Sequence, residues 1–95
     1  MNQMIYTVRD MAAQCYLEPF FALNDDVAKR AFQDACRREG HQFNLNPTDY
    51  ALYCIGHFNA LEGTLDRIEP HKLMDAASVF GIRDVETVEA EVKHS

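Results

Sequence analysis

Cysteine and histidine stand close together twice in the chain, at Cys36 and His41 and again at Cys54 and His57. Thiol with imidazole is a pairing that can hold zinc or activate a nucleophile. Zinc needs four ligands converging as a tetrahedron, usually delivered in close pairs. Cys54 and His57 lie in an apolar run that reads as a strand, where they point to opposite faces and cannot share an ion. Cys36 falls on the apolar stripe of a helix and His41 follows the stop of that helix, so this pair is also not expected to converge. Cys15, Cys36 and Cys54 are an odd number in apolar surroundings with no signal peptide before them, and are expected to be reduced thiols. No nucleophile elbow, paired-carboxylate site or Gly-rich phosphate loop accompanies them. The residues therefore predict no enzymatic activity, no metal and no cofactor.

Two other groups of side chains could bind nucleic acid. Lys29, Arg30 and Arg37 fall opposite an apolar helical stripe, with Gln33 between them and Arg38 at the border, which makes a basic outer face. The same helix offers Asp26 to Arg30 and Asp34 to Arg38 as i,i+4 pairs, so an ordinary solvated face is the competing reading. Tyr6, Tyr16, Tyr50, Tyr53, Phe20, Phe21 and Phe58 form the second group. Aromatic rings on a sheet can stack unpaired bases, with an arginine such as Arg9 holding the backbone. In a small chain without tryptophan the same rings are also needed for the core. The candidate nucleic-acid-binding residues are thus Lys29, Arg30, Arg37, Arg38, Arg9 and Tyr53.

The elements that must position these residues can be read in order. Met4 to Arg9 is short and rich in β-branched and aromatic residues, as a strand would be. Ala12 to Leu23 is broken by Pro19 and reads as an irregular or edge segment. Asn24 or Asp25 can cap a helix over 26–39 that ends at Gly40, with Val27, Ala28, Ala31, Phe32, Ala35 and Cys36 forming its apolar stripe. After a loop over 41–49, the run from Tyr50 to Phe58 does not alternate with polar residues, which predicts a central strand covered on both faces. Thr64 to Ile68 reads as the return arm of a hairpin, and Pro70 as the first turn of a short helix through Phe80 that stops at Gly81. Asp84 to Val92 has valines at helical spacing and β-branched residues together, and either state fits.

The expected fold class is α+β. It comprises a small, mainly antiparallel sheet around Ile5, Leu52 and Leu65, one long amphipathic helix packed on it through Phe32, and a shorter C-terminal helix. The chain is expected to form a single compact domain over 1–81 with an acidic C-terminal extension over 82–95. Its 95 residues, 47% apolar and 25% charged, suit one small domain. A net charge of −6 removes any general pull toward nucleic acid or anionic membrane, so a DNA contact requires a local patch. No apolar stretch approaches the roughly 20 residues that cross a bilayer. A short chain with rings to spare and an uncovered early strand would gain core and protect a sheet edge by self-association, so a homo-oligomer is expected.

Taken in order, Tyr6-Thr7-Val8-Arg9-Asp10, Pro19-Phe20-Phe21, Asp26-Val27-Ala28-Lys29-Arg30-Ala31-Phe32, Asn46-Pro47-Thr48-Asp49-Tyr50-Ala51-Leu52-Tyr53 and Ile55-Gly56 resemble one family. It is the small non-structural protein of gokushoviruses, tailless single-stranded-DNA phages of the microvirus group. The resemblance runs from about Met4 to Phe80 and departs at the hairpin, where the family's acidic, TG-containing turn is replaced by His57-Phe58-Asn59-Ala60-Leu61-Glu62-Gly63-Thr64. It implies a protein of the infected bacterial cytoplasm, absent from the finished capsid, with a role in genome replication during single-stranded DNA synthesis and packaging. Single-stranded DNA or phage and host replication proteins are the partners it implies. An assembly or scaffold-like protein that contacts only other proteins is the alternative.

Overall fold

The computed structural model describes residues 3–81. Five antiparallel strands form one curled half-barrel sheet: β1 (Gln3–Asp10), β2 (Cys15–Tyr16), β3 (Phe20–Ala22), β4 (Tyr50–Asn59) and β5 (Thr64–Asp75). The order is β2-β1-β4-β5, with β3 also paired to β1. Between β3 and β4 come α1 (Asp25–Arg37), the short α2 (Gln42–Leu45) and a 3-10 turn over Pro47–Asp49. A second 3-10 turn, Ala76–Phe80, follows β5.

β1 is interior because β4 lies on one side of it and β2 with β3 on the other, and Ile5, Tyr6, Thr7 and Val8 are all buried. Thr7 is the buried polar residue among them, and its hydroxyl donates to the Leu17 carbonyl at 2.6 Å. Pro19 separates β2 from β3, and the Leu17 amide keeps the edge attached by donating to Val8 O at 2.8 Å. The uncovered early strand on which self-association was argued is therefore not uncovered. The outer edge of the sheet is β5, which is interrupted by Pro70, a residue that edge strands tolerate because it has no N–H to leave unpaired.

α1 starts where Asn24 Oδ1 accepts the Val27 amide at 2.9 Å, with Asp25 and Asp26 in the first turn and Arg37 in the last, as the helix dipole favours. Ala28, Phe32 and Cys36, four apart, are the residues it buries, while Val27 stays 46% exposed and Ala31 is exposed too. The buried stripe is thus narrower than the spacing suggested. It packs on the side of the sheet that carries Tyr6, Val8, Leu52 and Cys54, and Phe43 of α2 completes the cluster, with ring centroids 5.4 Å from Phe32 and 4.8 Å from Tyr50. The Tyr6 hydroxyl donates to Asp25 Oδ1 at 2.8 Å and ties the sheet to the start of α1. Tyr6→Phe removes a hydrogen bond to a charged acceptor, and urea unfolding should show a loss of about 1.5 kcal/mol.

The fold expected from the sequence is corrected by this architecture. Sheet accounts for 44% of the described residues against 32% helical, and it curls as a half-barrel instead of forming a small platform beneath a long helix. The main helix has 13 residues, and among the described residues no C-terminal helix follows the hairpin beyond a five-residue 3-10 turn. The helix expected from Pro70 is strand through Asp75 because His71, Lys72, Met74 and Asp75 pair with Cys54, Tyr53, Leu52 and Ala51 of β4. Pairing with a central strand outweighs a local 3.6-residue pattern, since propensity and periodicity are weak beside tertiary contacts. The proposed acidic extension over 82–95 lies outside the described residues.

Candidate nucleic-acid interface

Alternation along a strand sends Tyr6 and Val8 to the helix-covered side of β1 and Ile5, Thr7 and Arg9 to the opposite side. In β4 the same alternation puts Tyr53, paired with Thr7, on the side of Arg9. Arg9 is also paired with Tyr16 across the β1–β2 ladder. The result is a cluster on the sheet face away from α1. The Arg9 guanidinium lies 4.9 Å from the Tyr16 ring centre, and Tyr16 meets Tyr53 edge to face with centroids 5.7 Å apart. Tyr16 is 43% exposed.

An apolar groove of about 540 Å³ adjoins this cluster, with Tyr16 in its wall and Ile5, Leu17, Ile55, Ile68 and Pro70 along it. Its shape comes from irregular pairing. Ile5 pairs with Gly56 while Tyr6 pairs with Cys54, so Ile55 is an extra residue in β4, and opposite it β5 skips from Arg67 to His71. Such bulges bend a strand and increase its twist, and here they hollow the open face.

Of the six candidate binding residues, the structure brings Arg9 and Tyr53 together and adds Tyr16 between them. Lys29, Arg30 and Arg37 sit on α1 and Arg38 caps its C-terminal end, across the core from that face, so the six do not form one surface. The i,i+4 pairs Asp26–Arg30 and Asp34–Arg38 are not formed among the described residues, whose ion pairs include His57–Asp66 and Lys72–Asp75. Tyr6 and Tyr50 are buried in the core and Phe20 packs against it, while Phe21 is 55% exposed and Phe58 is half-buried. The contribution of Tyr16 and of the groove was not visible in the spacing, because it depends on the Arg9–Tyr16 register and on the Ile55 bulge. The available signal was the ring and arginine content of two segments separated by a turn.

The thiols are placed differently from one another. Cys36 and Cys54 are buried and Cys15 is exposed. Burial pushes the Cys36 thiol up to about 11, against an opposing pull from the Arg37 charge. Burial also raises Cys54, with a backbone hydrogen bond from Gly56 acting in the other direction. Among the described residues no group of three or more His, Cys, Asp and Glu side chains converges to hold a metal ion. At pH 8 a thiol reagent should label one cysteine rapidly in the folded protein, Cys15, and all three only after unfolding; fast labelling of Cys36 would contradict its burial. A raised thiol stabilises the fold below its ordinary value of about 9, and that contribution is lost as pH rises through about 11. The urea midpoint should therefore fall across that interval, less steeply in Cys36→Ala.

Among the described residues no helix is long and apolar enough to cross a membrane. No curated protein and no solved structure matches the chain. The family model described as phage ORF5 protein matches residues 3–79, which include every strand of the half-barrel, α1 and the ring cluster on the open face. The chain belongs to the phage ORF5 protein family.

Proposed function

We propose that this protein is a non-enzymatic phage accessory protein that acts in genome replication by binding single-stranded DNA on the open face of its sheet. The observation that carries this reading is the Arg9–Tyr16–Tyr53 cluster: two rings able to stack unpaired bases beside a guanidinium able to meet phosphate, on the uncovered side of a sheet, with Tyr16 exposed and Arg9 and Tyr53 half-buried. Family membership supports a phage origin, and the resemblance to gokushovirus non-structural proteins supports a place in single-stranded DNA synthesis and packaging, in the cytoplasm of the infected bacterium. The net charge of −6 works against one protomer binding tightly. A homo-oligomer that presents several faces to one strand overcomes this through effective concentration.

A labelled single-stranded oligonucleotide titrated at low and moderate salt tests the reading. Binding should weaken with salt at a log–log slope near −0.7 per phosphate contacted, and Arg9→Glu should make the slope shallower. Tyr16→Ala and Tyr53→Ala should each weaken binding by about tenfold, and duplex of the same length should bind less well because its bases are not free to stack. Loss of binding on reversing Lys29, Arg30 and Arg37 together, with the Arg9 and tyrosine variants unaffected, would move the site to the helix. The second reading, a scaffold-like protein that contacts only proteins, is favoured by the apolar lining of the groove. It becomes the better account if folded protein binds no single strand at low salt.

A further inference from the structure

We infer that the DNA site is a strip along β4 that crosses the apolar groove from the Tyr16–Tyr53 pair to a second ring pair, Phe21–Phe58. It takes about four unpaired nucleotides with their bases against the sheet and their phosphates at Arg9 and Arg67. This inference rests on the single-stranded DNA reading above and extends it to residues that reading does not use.

The register places the second pair. Ile5 lines the groove and pairs with Phe21, Gln3 on the same side of β1 pairs with Phe58, and Phe58 pairs with Leu65. Phe21, Phe58 and Leu65 thus share the open face, and the two phenylalanine rings lie 6.2 Å apart. Tyr53 and Phe58 pair with Thr7 and Gln3, four residues apart on β1, so the two ring pairs are about 13 Å apart at ~3.3 Å per residue, with the Ile55 bulge absorbing the fifth residue of β4. A site of this reach belongs at the small end of those known for sheet-borne single-strand sites, about four nucleotides.

Charge favours an anionic occupant over a second copy of the chain. At the paired positions of β1, β4 and β5 the open face carries Arg9, Arg67 and Lys72 against Asp75, which is already 2.7 Å from Lys72. Asp66 contributes to the groove wall beside Arg67, but its carboxylate is engaged by His57 at 3.1 Å, its partner across the β4–β5 ladder. Neither Arg9 nor Arg67 has a carboxylate within 4 Å among the described residues. A copy packed face to face would press this positive surface against itself, whereas a phosphate backbone running along the groove would complement it. The groove between the ring pairs is apolar, as the flat faces of unpaired bases require, and an intact duplex cannot present such faces to it.

The test is a fluorescence titration with labelled thymidine oligonucleotides of two, four and eight residues, and with a four-residue abasic strand that keeps the phosphates. Affinity should rise steeply from two to four residues and then level, and the abasic strand should bind at least about tenfold more weakly. Phe58→Ala and Phe21→Ala should each weaken the four-residue strand several-fold and leave the two-residue strand unchanged, while Arg67→Glu should also flatten the salt dependence. Phe21 and Arg67 are exposed, so their variants keep the test sound if Phe58→Ala unfolds. If Tyr16→Ala abolishes binding and the phenylalanine and Arg67 variants do not change it, the strip is overturned and the DNA reading stands. If no strand binds the folded protein, both fall. Loss of oligomer mass by light scattering in Phe21→Ala, with DNA binding intact, would assign the face to a second copy and likewise overturn the strip.

Discussion

Phe32→Ala should destabilise the protein by about 3–5 kcal/mol, a large part of what a domain of this size has. Phe32 is 2% exposed and is the ring through which α1 reaches Phe43, which in turn packs on Tyr50 at the start of β4. Removing it separates three elements at one point. The loss cannot be repaired by collapse, because Phe32 already borders a cleft of about 260 Å³ between α1 and the segment carrying Leu17 and Phe20. Urea unfolding followed by circular dichroism reads the change, and Phe21→Ala is the control. Phe21 is more than half exposed on the opposite face, and its truncation should cost about 1 kcal/mol or less. Similar losses in the two variants would mean that α1 does not rest on the sheet through Phe32.

Gly56→Ala should cost about 1–3 kcal/mol, because overpacking forces backbone to move. A Cβ at this position would lie 2.5 Å from the Asp66 carbonyl oxygen, and the obstacle is the main chain of β5, not a side chain that could swing away. The two strands must separate where the Ile55 bulge and the skipped residues of β5 already interrupt the ladder. Gly63→Ala offers the contrast. Gly63 has φ +71 with open space around it, so alanine there meets only the left-handed backbone penalty of about 1–2 kcal/mol. The two variants should also differ in function. Moving β5 at Gly56 displaces the groove wall and should weaken single-stranded DNA binding in protein that is still folded, while the hairpin variant should bind as wild type. Unimpaired binding and stability in Gly56→Ala would show that β4 and β5 do not approach as closely as described.

Parts of this architecture were legible because they are local. The start of α1 follows from Asn24 and the acidic first turn, and the unbroken apolar run of β4 marks a central strand, but the expected cover on both faces is found only on the side of α1, since Tyr53, Ile55 and Phe58 lie half-buried along the open face. Pro70 to Asp75 was misread for the same reason that α1 was readable. Leu73, Ala76 and Ala77 satisfy a helical spacing, yet whether that spacing is used depends on a pairing partner more than 15 residues away in β4. The α+β balance expected from the sequence fell with that segment, since a long β5 turns a small sheet into a half-barrel. The binding residues divide in the same way. Tyr53 and Arg9 could be named as a ring and a cation, but not as neighbours, and the helix cations could not be separated from them without knowing which side of the sheet α1 covers.

By itself the sequence determined the acidic charge of −6, the composition of one small domain, the helix cap and the apolar run of the central strand. Each is a property of composition or of residues a few positions apart, where backbone geometry converts spacing directly into position. The tertiary structure decided which rings are core and which are exposed, that Arg9 meets Tyr16 and Tyr53, and that a groove opens beside them. Those outcomes follow from strand register and from one extra residue at Ile55. A one-residue slip in register would send a strand's side chains to the other face, so the open face exists only once the long-range pairing is set.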